Sequence, residues 1–145
     1  MSDDHSDSRQ HLAELDRDEC IRLLGSTKLG RLAVLPASWG GAPVIRPVSY
    51  AFDPSSQSIV FRSAHGSKLT ALLLSTAAAF EIDGLEPTGD SGWSVIVEGP
   101  IEEVDSPTEI QRLERLGLST LVGSEETPHW IRIRAAVVTG RRTAL

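Results

Sequence analysis

The chain has 145 residues, 40% of them hydrophobic and 23% charged, and a formal net charge of −6. That length supports one domain with its own core, and the acidic balance argues against sequence-independent nucleic-acid binding, which needs a basic surface. Cys20 is the only cysteine, which excludes an internal disulfide and a multi-cysteine metal site, and no metal is expected.

Residues 1–12 carry Ser, Asp and His with almost nothing to bury and read as a disordered acidic tail. The start is unlike a secretory signal, and the longest apolar run, Thr70 to Phe80, is too short to span a membrane. A cytoplasmic protein is expected, with one folded domain over residues 13–145. Leu15 to Cys20 opens a helix: Asp16 caps it, Glu19 stands three residues on, and Leu15 staples against Cys20. Ile21, Leu23 and Leu24 give it an apolar side, and Gly25 closes it. Cys20 falls among these apolar positions and reads as a small buried hydrophobe. Leu29 to Leu35 is the first strand, and residues 36–42, with Trp39-Gly40-Gly41, turn the chain into the next.

That next strand is read from Pro43 to Phe52. Alternation puts Val44, Arg46, Val48, Tyr50 and Phe52 on one face and Ile45, Pro47, Ser49 and Ala51 on the other. Arg46 therefore sits among large apolar neighbours and must find an anion or reach solvent, because an unpaired buried charge is costly. Asp53 to Ser56 supplies turn chemistry. Ser58 to Ser63 is a further strand, with Ile59 and Phe61 on one face and Val60 and Arg62 on the other. His65-Gly66-Ser67-Lys68 then leads into a helix carrying Leu69, Leu72 and Leu73, with Ser67 as its N-cap. Backbone N–H groups at a helix start, with Lys68 beside them and Arg62 upstream, make an anion site; an ordinary helix start with a solvated lysine is the other reading. The motif is not a Walker P-loop, because Phe61 stands where a glycine is needed and Ser67 separates Gly66 from Lys68. His65 reads as a surface turn histidine, and no catalytic acid or base is identified.

Ala77 to Asp83 reads as a strand whose small residues would let a bulky ligand or a partner backbone come close, although its alanines also fit a continued helix. Trp93 to Val104 is a long strand with Gly99-Pro100 in the middle, the mark of a bend at a barrel corner. Ser106-Pro107-Thr108-Glu109 opens a helix with a capping box, and Ile110, Leu113 and Leu116 form its apolar face. His129 to Thr139 is the last strand, with Trp130, Arg132 and Arg134 alternating against Ile131, Ile133 and Ala135, and Gly140-Arg141-Arg142 makes a basic end. About six short strands with two or three capped helices describe an α+β, barrel-like domain.

The order GRLAVL, PVIRPVSYAF, IVFRSAHGSKL, AFEID, GWSVIVEG and a final TGRR resembles the pyridoxamine 5'-phosphate oxidase-like family over residues 15 to 143. The resemblance implies a mostly antiparallel split β-barrel that binds FMN, built as a homodimer with the flavin at the subunit interface. Arg46, Pro47, Val48, Ser49 and Tyr50 would line the flavin. Arg62 and Ser63 match the next strand end, and Gly66, Ser67 and Lys68 match the phosphate grip. Ser94 takes the position of a flavin-contacting glutamine, while Thr139 and Arg141 would come from the partner subunit. Val48, Tyr50, Ser49 and Trp93 would form the slot for the ring.

The chain also departs from family patterns. It ends GRRTAL with no histidine after His129, so the Arg-x-His element that grips vitamin B6 substrates is missing. Arg62 stands where nitroimidazole-reductase relatives carry a histidine. The implied function is an FMN-dependent oxidoreductase acting on a small molecule. The alternatives are an F420-dependent reductase, whose acidic tail Arg132, Arg134, Arg141 and Arg142 would receive, and a non-catalytic flavin- or haem-binding protein.

Overall fold

The computed structural model describes residues 12–35, 42–63, 75–118 and 129–144. In chain order these form β1 (Leu12–Leu15), α1 (Arg17–Ser26), β2 (Leu29–Val34), β3 (Val44–Ser49), β4 (Ala51–Asp53), β5 (Ser58–Ser63), β6 (Ala77–Leu85), β7 (Ser91–Val104), α2 (Pro107–Glu114), β8 (His129–Arg134) and β9 (Val137–Ala144). Every pairing is antiparallel. The strands run β3-β2-β6-β7-β8-β5-β4, with β9 also on β7 and β1 on β9. β3 and β5 meet, so the strip curls round on itself.

The helix starts follow from local chemistry. The Asp16 carboxylate accepts from the Glu19 N–H at 2.8 Å, and the Ser106 hydroxyl accepts from the Glu109 N–H at 3.4 Å. Pro107 occupies the first turn of α2. The Glu109 side chain turns to Arg112 and Arg132 instead of closing the capping box. α1 runs one residue past Gly25 and is capped at Thr27. Cys20 is buried, with its thiol pushed up by that burial, as suits a packed apolar residue.

Gly99-Pro100 is the corner. β7 pairs with β6 up to Pro100 and with β8 from Ile101, so one strand passes from one sheet to the other there. A Cβ on Gly99 would lie 1.8 Å from the Arg134 carbonyl oxygen, so only glycine lets the two backbones approach.

Nine strands appear among the described residues, where about six were expected. Three differences account for this. The expected Pro43–Phe52 strand is two strands, because Tyr50 turns into the core. Tyr50 is 2% exposed, its hydroxyl donates to the Leu24 carbonyl at 2.6 Å and lies 2.5 Å from the Thr27 hydroxyl, and its ring meets Phe80 edge-on at 4.7 Å. The last expected strand breaks at Ala135 and Ala136, and its basic end is the body of β9. Leu12–Leu15 pairs with β9 as β1. The expected tail (residues 1–11 of it) and the expected helix after Ser67 lie outside the described residues.

The main core is built from inward residues of both sheets, with Leu32, Phe61, Phe80, Ile82, Val95 and Ile133 among the most buried. A second apolar cluster, Val60, Val104, Leu113 and Trp130, lies beneath α2. No helix among the described residues is long and apolar enough to cross a membrane.

Candidate functional site

Among the described residues β3 is an edge strand, paired with β2 alone, and this decides how its residues are displayed. Arg46 and Pro47 are exposed, Val44, Val48 and Ser49 half-buried. Pro47 is tolerated because an edge strand need not donate on both sides. Arg46 takes the solvent route open to it: its guanidinium is exposed and donates to the Ile45 carbonyl at 2.8 Å. Tyr50, expected beside the flavin, is a core residue whose side chain offers a ligand almost no surface. Trp93 likewise packs against the main core, over Gly84.

Arg62 projects from the end of β5 toward α2. Its Nη2 donates to the Leu118 carbonyl at 2.7 Å, and its Cζ stands 5.2 Å from the centre of the Trp130 ring. Both contacts suit a cation, yet neither is a carboxylate. Ser63 follows, opposite His129 in the β5–β8 register. Gly66, Ser67 and Lys68 lie outside the described residues.

Ser94, Thr139 and Arg141 come together on one face. Ser94 lies opposite Arg141, and Ile96 opposite Thr139, in the β7–β9 pairing. Antiparallel partners point to the same side, so the face can be traced across the sheet: Ile45 and Pro47 on β3, Ala33 and Arg31 on β2, Ala79, Glu81 and Asp83 on β6. The exposed large apolar residues Leu29, Ile45, Leu85, Ile96 and Val137 all fall on this face. The opposite face carries α1: a Cβ on Gly140 would lie 2.5 Å from the Cys20 sulfur. Across this outer face Arg31 binds Glu81 and, at 2.7 Å, Asp83. Within one chain, then, the Ser94–Arg141 group is on a different surface from Arg62 and Ser63.

Two concavities accompany these groups. A trough of about 410 Å³ opens on the outer face, lined by Ala33, Leu35, Pro43, Ala77, Ala79 and Glu98. The small residues of β6 make that space, as expected of them. A smaller cleft of about 180 Å³ lies at the other end of β3, lined by Thr27, Lys28, Ser49, Tyr50, Phe52 and Leu118. Of these two, the trough reaches the roughly 300–1,000 Å³ of ordinary small-molecule sites.

The charges sort into two sets. Arg112 binds Asp53 through both carboxylate oxygens, at 2.8 and 2.6 Å, and also Glu109. Asp53 is fully buried, and the Arg112 guanidinium holds its carboxyl down to about 2. Arg132 pairs with Glu102 at 2.8 Å and Glu109 at 3.3 Å, Arg134 with Glu102 at 3.3 Å, and Arg142 with Glu86 at 3.2 Å. Arg17, Arg46, Arg62, Arg115 and Arg141 have no carboxylate partner among the described residues. Sequence reading missed the ion pairs, because their partners are far apart along the chain.

Residues 16–142 match the family described as pyridoxamine 5'-phosphate oxidase. The chain belongs to this family. An uncharacterised protein of Mycobacterium tuberculosis is 35% identical over 114 residues, which is 75% of this chain and 72% of that protein. The FAD binding protein of Mycobacterium smegmatis superposes with a TM-score of 0.79 at 28% identity, over 92% of this chain and 99% of that one. A FAD-binding protein of Mesorhizobium loti gives a TM-score of 0.78 at 24% identity, over 92% and 98% of the two chains, a likeness of fold alone. The α+β, mostly antiparallel split β-barrel is thus both the observed architecture and that of its relatives.

Proposed function

We propose that this protein binds a flavin, FMN, and uses it as an oxidoreductase on a small molecule. The observation that carries the reading is the division of the arginines. Arg46 and Arg62, which the family pattern sets beside the cofactor, lack a carboxylate partner among the described residues, whereas Arg112, Arg132 and Arg142 are paired. A phosphate would supply the missing anion, and charge-assisted contacts of guanidinium and ammonium to phosphate are strong and oriented. Lys68 joins them as the third cation. A bound flavin supplies hydride chemistry, and the chain's residues bind and orient it.

The same division counts against F420. Of the four residues that would receive its acidic tail, Arg132, Arg134 and Arg142 are already paired with Glu102, Glu109 and Glu86, and Arg141 alone keeps no carboxylate partner among the described residues. The flavin-binding neighbour from Mycobacterium smegmatis takes FAD, so FAD is the cofactor to compare with FMN.

The protein acts as a homodimer in this reading. The outer face exposes Leu29, Ile45, Leu85, Ile96 and Val137, set among the charged residues Arg31, Glu81 and Asp83, a mixture suited to a subunit contact. It also carries Ser94, Thr139 and Arg141, which a second copy laid on it would cover. The purified protein should show the two visible bands of an oxidised flavin, which anaerobic NAD(P)H should bleach. A bound flavin that stays oxidised with NAD(P)H and other donors would make this a flavin-binding protein without turnover, and a Soret band would mean haem.

A further inference from the structure

We infer that Arg112, acting through α2, is a positioning residue that sets the Arg62 guanidinium for a phosphate, so that the site favours a phosphorylated flavin over an unphosphorylated one. This rests on the flavin reading above.

Arg62 is fixed at two points. The Trp130 ring, 3% exposed, gives the guanidinium a platform, and the Leu118 carbonyl accepts one of its N–H groups. A guanidinium has five N–H donors in a rigid fork, so fixing its plane and one edge aims the rest. The platform belongs to β8, but the carbonyl belongs to the turn that follows α2. Placing α2 therefore places the carbonyl that orients Arg62.

α2 is a poor candidate to hold its own position. It has eight residues, of which Leu113 is the only one fully buried, and so short a helix is marginal by itself. Its side chains instead tie it down with charge. Arg112 grips buried Asp53, at the end of β4, with both arms of its fork. Glu109 reaches Arg132 of β8 at 3.3 Å. From Arg112 the backbone turns at once: the Arg115 N–H donates back to the Arg112 carbonyl at 3.2 Å, the Leu116 N–H to that of Leu113 at 3.0 Å, and Gly117 takes a positive φ of 71°. Leu116 and Leu118 then pack on the Val60–Trp130 cluster beneath Arg62. The route from Asp53 to Arg62 is thus one ion pair, one helical turn and one carbonyl.

The test is titration of the full chain with FMN and with riboflavin, followed by flavin fluorescence, for the unaltered protein, Arg62→Gln, Arg112→Lys and Asp53→Asn/Arg112→Met. Arg112→Lys keeps a charge on Asp53 but loses the fork. The double variant removes both charges, so no buried carboxylate is left unpaired if the single variant folds poorly. Arg62→Gln should cut the preference for FMN over riboflavin roughly tenfold, as loss of a charged hydrogen bond predicts. The two Arg112 variants should cut it roughly three- to fivefold, with riboflavin binding unchanged. A folded Arg112 variant with the original preference, or one that weakens both flavins equally, overturns the inference. An unaltered preference in Arg62→Gln overturns the role of Arg62 and the inference with it, while leaving Lys68 to carry the flavin reading. Failure of the unaltered protein to bind either flavin overturns that reading itself.

Discussion

The arginines of the charged cluster around α2 and the two arginines of β3 and β5 are the same residue type under opposite conditions. Around α2, Arg112, Arg132 and Arg134 are matched by Asp53, Glu102 and Glu109 within 3.3 Å. On β3 and β5, Arg46 and Arg62 contact, among the described residues, carbonyls and an aromatic ring. Paired charges are consumed in holding elements together. Unpaired ones keep their capacity for an anion that the described residues do not provide. The contrast teaches that the number of arginines says little about anion binding, and that their partners decide it.

If the α2 set is structural, cutting it should cost stability before anything else. Arg112→Met leaves the Asp53 carboxylate buried without its cation and should destabilise the fold by about 3–5 kcal/mol in urea unfolding. A loss below about 1 kcal/mol would remove α2's anchoring from the account. The same pair sets an acid limit. Asp53 has its carboxyl lowered to about 2 from an ordinary 3.8. A depressed carboxyl stabilises the fold above its unfolded value and loses that contribution as pH falls. Roughly 2 kcal/mol should therefore disappear between pH 4 and pH 2. Comparing Asp53→Asn with the unaltered chain across that window isolates this share.

Much of the architecture was legible because its causes are local. Asp16 and Ser106 cap their helices through residues three positions away, and Gly99-Pro100 announces the corner in two letters. What was not legible is non-local. Asp53 read as turn chemistry, and it does accept from the Ser55 N–H at 3.2 Å, but its main partner, Arg112, is 59 residues on. Tyr50 kept the alternation of one long strand, and only the pocket formed by Leu24, Thr27 and Phe80 draws it inward. The four residues of β1 carry too little pattern to be seen without β9 beside them. For the site, the sequence marked Arg46 as a cation that must find an anion or reach solvent, and Arg62 as part of an anion site. It could not show that Arg132, Arg134 and Arg142 already had theirs.

Two further changes sharpen the comparison. If the outer face is the proposed subunit contact, Ile96→Glu, which adds a charge to it, should weaken the dimer about tenfold or more in sedimentation; an unchanged dimer would place the contact elsewhere, and a monomeric unaltered protein would remove it. The smallest effect belongs to Arg134→Gln. Its pair with Glu102 is largely exposed, so stability should move by less than about 0.5 kcal/mol, and flavin affinity should not move at all. A large loss of cofactor affinity here would restore the basic carboxy-terminal strand as a ligand-binding element.

The most direct measurement is the FMN affinity of Lys68→Ala against the unaltered protein, by titration of the flavin's visible absorbance. Loss of one charged hydrogen bond to the phosphate should weaken binding by about 1–3 kcal/mol. Equal affinities in the two proteins would contradict the claim that Arg46, Arg62 and Lys68 exist to hold the flavin by its phosphate.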